Sequence, residues 1–163
     1  MKNPAFIQSK LYTLPDLQRQ VSRWKFLGKT IAFTNGCFDI LHQGHIYSLS
    51  QAASEADILI VGVNADESVK KLKGSGRPIN SQDSRSLLIA SLLMVDAVII
   101  FDEDTPHQLI SALLPHVLVK GGDYTLDQIV GAPEVVAQGG RVVINPIIEG
   151  FSTTGILEKM RKL

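Results

Sequence analysis

A single cysteine, Cys37, excludes an internal disulfide, so nothing in the chain calls for an oxidising compartment. Long apolar runs are missing too. None reaches the length that spans a bilayer, and Met1–Phe6 carries no apolar stretch of the signal-peptide kind. Nor is there an excess of charge, because 16 Lys and Arg balance 16 Asp and Glu. That removes the bulk electrostatic case for nucleic acid or an anionic membrane as partner. No repeat, low-complexity tract or linker divides the 163 residues. The expectation is one cytoplasmic domain, residues 1–163, with no nucleic-acid or membrane partner. A Walker-type Gly-Lys-Ser/Thr loop is also absent. Gly74-Ser75-Gly76 is too short for a dinucleotide fingerprint and follows no strand, so it reads as a loop.

What is present is a core-forming composition, 45% apolar and 20% charged. Residues 1–12 read as a tail or arm, and residues 13–27 as an N-terminal helix with its cap. Thr13 with Asp16 resembles a capping box, Pro15 suits a first turn, and Leu14, Leu17, Val21 and Trp24 fall at helical spacing over 14–27. Five short apolar runs follow: Thr30–Thr34, Ile58–Val63, Ala97–Phe101, Val117–Val119 and Arg141–Ile144. They are rich in Val and Ile and do not alternate with polar residues, the pattern of parallel strands covered on both faces. Helical faces separate them: Ile46, Leu49, Ala53 and Ala56; then Leu88, Leu92 and Val95; then Leu109, Leu113 and Leu114 after Thr105-Pro106. Right-handed crossovers of this kind predict an α/β fold, a doubly wound Rossmann-like sheet of five parallel strands with helices on both faces.

In such sheets ligands bind beyond the carboxyl ends of the strands. Those ends carry Asn35–Asp39, Asn64–Asp66, Asp102–Thr105, Lys120–Asp123 and the turn leading to Ser152-Thr153-Thr154. The densest signal is Gly36-Cys37-Phe38-Asp39-Ile40-Leu41-His42-Gln43-Gly44-His45. Two histidines three residues apart sit at a helix mouth whose free N–H groups favour anions, and Gly44 admits a phosphate close to the backbone. A zinc site is disfavoured because no third ligand lies nearby.

The segment Thr34–His45 resembles the HxGH signature of the nucleotidyltransferase superfamily that includes the cytidylyltransferases, and Gly150-Phe151-Ser152-Thr153-Thr154 resembles its second motif. More narrowly, residues 13–163 are similar to the adenylyltransferase domain of the bifunctional heptose-phosphate kinase/adenylyltransferase family. The stretches carrying that resemblance are Lys73–Pro78, Val95–Val98, Phe101–Pro106 and Val119–Tyr124. The resemblance implies transfer of AMP from ATP to D-glycero-β-D-manno-heptose 1-phosphate, releasing pyrophosphate. The kinase half has no counterpart in this sequence, so only the nucleotidyl step is expected. Many superfamily members carry a basic residue three positions after the last Thr of the second motif, where this chain has Leu157; Lys159 or Arg161 would then supply the charge.

Motif and resemblance together assign His42, His45 and Lys73 to catalysis. Thr34, Asn35, Gly36, Phe38 and Gly44 are assigned to the nucleotide, with Lys120, Gly121, Ser152, Thr153 and Thr154. Asp39, Arg77 and Asp123 are assigned to the substrate, with orienting a histidine or capping the next turn as the structural role open to Asp39. Magnesium is expected to accompany ATP, held by phosphate oxygens and water. Cys37 is expected as a small packed side chain, His107 and His116 as surface or packing residues, and Asp102–Asp104 as a cap for the following helix, with sugar-hydroxyl binding as the alternative. A homodimer using Phe6, Ile7 and Leu11 is a further expectation. The alternatives are a cytidylyltransferase acting on glycerol 3-phosphate or a similar phosphate, and a nucleotide-binding module without turnover.

Overall fold

A computed structural model describes residues 5–122, 124–146 and 150–162. Asp123 and the Arg161 side chain, both singled out above, lie outside that description. Five strands form one parallel sheet: β1 (Ile31–Gly36), β2 (Ile58–Asn64), β3 (Ala97–Phe101), β4 (Val117–Gly121) and β5 (Arg141–Asn145), in the order β3-β2-β1-β4-β5. The helices are α1 (Ala5–Gln8), α2 (Leu14–Phe26), α3 (Gln43–Ala53), α4 (Asp66–Lys73), α5 (Gln82–Ala90), α6 (His107–Leu113), α7 (Ala132–Ala137) and α8 (Thr153–Arg161).

The sheet is buried on both faces, which is why its strands read as unbroken apolar runs. On one face Leu17 and Val21 of α2, Ile110 and Leu113 of α6 and Val135 of α7 pack on Ile31, Phe33 and Ile60. On the other, Leu49 and Ala52 of α3 and Ile89 and Ala90 of α5 pack on Ala32, Leu59 and Val61. The doubly wound expectation holds.

Three of the helical faces differ from their apolar reading. In α5 the buried residues are Arg85, Ser86, Ile89 and Ala90, while Leu88 is 42% exposed. A fully buried arginine is invisible to apolar periodicity; it is tolerated because Arg85 Nη2 pairs with Asp66 Oδ1 at 2.8 Å, while Nε and Nη1 donate to the carbonyls of Asn80 and Cys37. In α3 Ala52 is buried and Ile46 is 36% exposed. Leu114 turns out of α6 in the left-handed region, φ 45°, and Ile110 takes the inward place.

Residues 1–12 are not a free arm from Ala5 onward. Val98 N–H donates to Lys10 C=O and Tyr12 N–H to Val98 C=O, at 2.8 and 2.9 Å, so the segment supplies the open edge of β3 with backbone partners. The Lys10 ammonium is buried and donates to the carbonyls of Leu92 and Val95 at 3.2 and 2.6 Å.

The strands also run past their apolar stretches. Asn35 and Gly36 pair with Gly62 and Val63, and Gly121 pairs with Asn145. In β1 and β4 burial falls off before the pairing ends, and polar residues or glycine occupy the carboxyl ends of the strands. The chain winds from β1 outward to β3, then returns across the sheet to β4. β1 and β4 are in register only at Ala32↔Val117 and Phe33↔Leu118, although both strands continue beyond. The crevice opens at that switch point.

Candidate active site

The turn between β1 and α3 enters this crevice. Phe38 has φ 48° and is 8% exposed; its ring meets His45 edge-on, centroids 5.3 Å apart. His42 is the N-cap of α3 in extended conformation, and its carbonyl accepts from His45 N–H at 2.9 Å. The two imidazoles stack with centroids 3.8 Å apart and planes 22° apart. Both Nδ1 atoms are buried and without a hydrogen-bond partner among the described residues. Burial, then the neighbouring His42, pushes His45 down to about 4, and burial alone lowers His42. Both shifts favour neutral imidazoles near pH 7.

Space at Gly44 is tight. A Cβ there would stand 3.1 Å from His42 Nδ1 and 3.2 Å from Phe151 Cβ, so any larger residue would push against the ring or the second motif.

His42, Gly44 and His45 line a cavity of about 500 Å³ together with Ser152, Thr153 and Thr154. The N-termini of α3 and α8 thus meet on one space, each with backbone donors unused by its own helix. Ser152 caps α8, accepting from Gly155 N–H at 3.0 Å, and Thr153 Oγ1 donates to the Ile40 carbonyl at 3.5 Å. Lys73, Arg77 and Gly121 border the same space. Leu157 lines an adjoining depression together with Lys73 and Arg77, whereas Lys159 is exposed on α8.

Asp39 is 2% exposed, and both its carboxylate oxygens meet protein donors. Oδ1 accepts from the N–H groups of Ile79 and Asn80 at 2.7 and 3.0 Å, and Oδ2 from Arg77 Nε. These bonds hold its carboxyl below the usual range despite burial. Asp39 therefore ties the 77–80 loop to the histidine turn, and both Asp39 and Arg77 line the cavity.

A second cavity, about 390 Å³, adjoins the first, and Cys37 and Lys73 line both. Lys120 belongs to this second space, with its ammonium 5.5 Å from the centre of the Tyr124 ring. Asn35 and Gly36 line it too, while Thr34 is 7% exposed within β1 and lines neither space. Cys37, expected as packing, is half-buried on the wall between them, its thiol pushed up by burial. Asn64 and Tyr124, which the strand-end position and the Val119–Tyr124 stretch signal without a role, line the second space, whereas Arg85, for which the sequence gives no signal, braces the turn from behind.

The remaining titratable residues play other parts. His107 pairs with Glu134 at 2.6 Å on the surface, and His116 Nδ1 accepts from Ile31 N–H at 3.0 Å. Asp102–Asp104 do not cap α6, whose N-cap is Pro106 without a side-chain bond. Asp104 instead pairs with Lys71 at 3.0 Å.

Comparison with known proteins gives this geometry its family. The Cytidylyltransferase-like family model matches residues 33–159. The Bifunctional protein HldE of Mesorhizobium japonicum is 54% identical over 143 residues, 88% of this chain and 29% of that protein. The Bifunctional protein HldE of Hyphomonas neptunium is 56% identical over 140 residues, 86% and 29% of the two. The chain thus spans about three tenths of the length of these relatives. A lipopolysaccharide core biosynthesis protein from Thermoplasma volcanium superposes with TM-score 0.58 at 29% identity, covering 74% of this chain and 98% of that one. A pantoate-beta-alanine ligase from Francisella tularensis, crystallised with beta-gamma ATP and beta-alanine, shares the fold alone, with TM-score 0.59 at 14% identity over 94% of this chain and 78% of that one. The matched region holds both helix N-termini and the histidine pair between them, and the chain belongs to the cytidylyltransferase-like family of nucleotidyltransferases.

Proposed function

We propose that the chain transfers AMP from ATP to the phosphate of D-glycero-β-D-manno-heptose 1-phosphate. An acceptor phosphate oxygen forms a bond to the α-phosphorus, the bond from that phosphorus to the bridging oxygen breaks in line, and pyrophosphate leaves with the electron pair. The acceptor is already ionised, so no side chain need act as general base. The chain's part is positioning and charge neutralisation. The observation that carries this reading is the stacked His42–His45 pair, with its unpartnered Nδ1 atoms, on a cavity shared by two helix N-termini. The histidines would donate to the α-phosphate as charge builds, the α8 N-terminus would hold the outer phosphates, and Lys73 would neutralise the transferring group.

Magnesium would travel with the triphosphate. No cluster of three His, Cys, Asp or Glu side chains able to hold a metal exists among the described residues, and Asp39 is engaged by protein donors. The donors would therefore be phosphate oxygens and water.

Choice of ATP and of the heptose rests on the likeness to the HldE proteins. A side-by-side pyrophosphate-release assay tests it. ATP with heptose 1-phosphate is expected to give the fastest turnover; CTP with glycerol 3-phosphate outpacing it would sink the reading. No helix among the described residues is long and apolar enough to cross a membrane, and the cytoplasm is the proposed compartment. A symmetric dimer on Phe6 and Leu11, 64% and 39% exposed, is part of the same reading; Ile7 is already packed against the core. Light scattering that finds only monomer would remove the dimer.

A further inference from the structure

We infer that the end of α2 docks on an anionic membrane surface, with Phe26 and Leu27 entering the lipid boundary and Arg23, Lys25 and Lys29 meeting the head groups. Phe26 is 90% and Leu27 70% exposed, and both stand off the stripe of Leu17, Val21 and Trp24 that turns α2 onto the core. Their exposure is built into the turn. Leu27 N–H donates to the Arg23 carbonyl, Gly28 N–H to that of Lys25 and Lys29 N–H to that of Trp24, at 3.0, 3.0 and 2.9 Å. Gly28, at φ 72°, supplies the left-handed residue that this helix end needs.

The pair stands at a definite end of the molecule. All five strands are parallel, so the turns that precede them share one edge of the sheet, opposite to the histidine crevice. Leu93, 96% exposed before β3, and Leu114 before β4 lie along that edge. The Lys25 ammonium donates to the Leu114 carbonyl at 2.7 Å, which sets Leu114 beside the end of α2. A lone exposed leucine needs no explanation, whereas large apolar side chains gathered at one end mark a contact face. Docking there leaves the mouth of the crevice open to water and to its substrates.

Charge decides which partner fits. The segment from Leu17 to Thr30 carries Arg19, Arg23, Lys25 and Lys29 and no carboxylate. The balanced charge of the whole chain, from which no membrane partner is expected, averages over this local excess. Carboxylates along the same edge are already engaged: Glu55 pairs with Arg141 at 2.6 Å, Asp57 with Lys29 at 3.6 Å, and Asp96 accepts from Leu59 N–H at 2.8 Å. Among the described residues Arg23 and Lys25 have no carboxylate partner. Cations flanking a protruding apolar pair, with the half-buried Trp24 beneath it, are the composition of a segment that lies in an anionic lipid interface.

Sedimentation of the full chain with phosphatidylcholine vesicles, with and without an equal part of phosphatidylglycerol, tests this. Wild type is expected to bind the anionic vesicles at least about tenfold more tightly than the neutral ones and to be released by salt. Phe26→Ser combined with Leu27→Ser should weaken that binding about tenfold or more, the loss of two lipid-buried side chains. Arg23→Gln should weaken it about fivefold. All three positions are exposed, so the urea midpoint and the affinity for a non-hydrolysable ATP analogue should keep their wild-type values, which separates docking from folding and from nucleotide binding. Failure of wild type to sediment with the anionic vesicles overturns the proposal, as does wild-type binding by the double variant. A wild-type dimer in light scattering that the double variant abolishes also overturns it, because the face would then meet a second copy of the chain.

Discussion

At the scale of single residues, the histidine pair makes claims about protons. His45 lies near 4 and His42 below its ordinary value because both rings are taken out of water. The folded state therefore binds fewer protons than the unfolded state once the pH falls below about 6.5. This contribution to stability is fully present above that pH and is lost on descent toward about 4. Urea denaturation of wild type and His45→Gln across that window should show the steeper loss in wild type; equal slopes would refute the shift. A triphosphate beside the ring acts in the opposite direction and raises its proton affinity. Binding of an ATP analogue between about pH 4 and 6.5 should then take up protons, which calorimetry in two buffers of different ionisation enthalpy measures. Gly44 is the other residue with a sharp expectation. Gly44→Ala brings a methyl within 3.1–3.2 Å of His42 and Phe151, and turnover should fall well before stability does, because a displaced ring loses its alignment.

Elements place these residues, and here sequence and structure part in informative ways. The HxGH turn, the Ser152–Thr154 turn and the five strands were legible because each has a strong local signature: glycine and histidine at a helix mouth, hydroxyls at a cap, runs of Val and Ile. Arg85 was not, since periodicity reads an arginine as outward. Yet its guanidinium joins α5 to the Asp66 carboxylate at the start of α4, to the Asn80 carbonyl and to the Cys37 carbonyl just before the histidine turn, at 2.8, 3.0 and 2.5 Å. Nor could sequence distance reveal that Asp39 holds the 77–80 loop, because that contact is made between distant segments. Arg85→Met should cost about 2–4 kcal/mol, since the half-buried carbonyls of Asn80 and Cys37 lose their donor and Asp66 loses its ion-pair partner. It should appear as a lower urea midpoint at unchanged m. A cost below about 0.5 kcal/mol would show the network to be incidental.

For the whole molecule, winding order explains why the two spaces lie side by side. The chain leaves β1 in one direction and returns to β4 on the other side, and the parting of those strands opens a crevice into which the histidine turn and the edge residues project. The N-terminal segment belongs to the same body, tied to β3 by the Lys10–Val98 and Tyr12–Val98 backbone bonds and by the buried Lys10 ammonium. Deleting residues 1–12 should therefore remove about 4 kcal/mol, roughly the sum of those four bonds, and lower Tm by about 8–16 °C; an unchanged Tm would return the segment to the status of an arm. The central claim is that the cavity at the switch point performs nucleotidyl transfer through its histidines. Pyrophosphate release from ATP and heptose 1-phosphate by wild type and His45→Ala, with binding of an ATP analogue measured in parallel, tests it most directly. The expected result is a loss of kcat of about 10²–10³-fold, the cost of one donor at a developing charge, with nucleotide still bound; near-wild-type turnover in His45→Ala would contradict it.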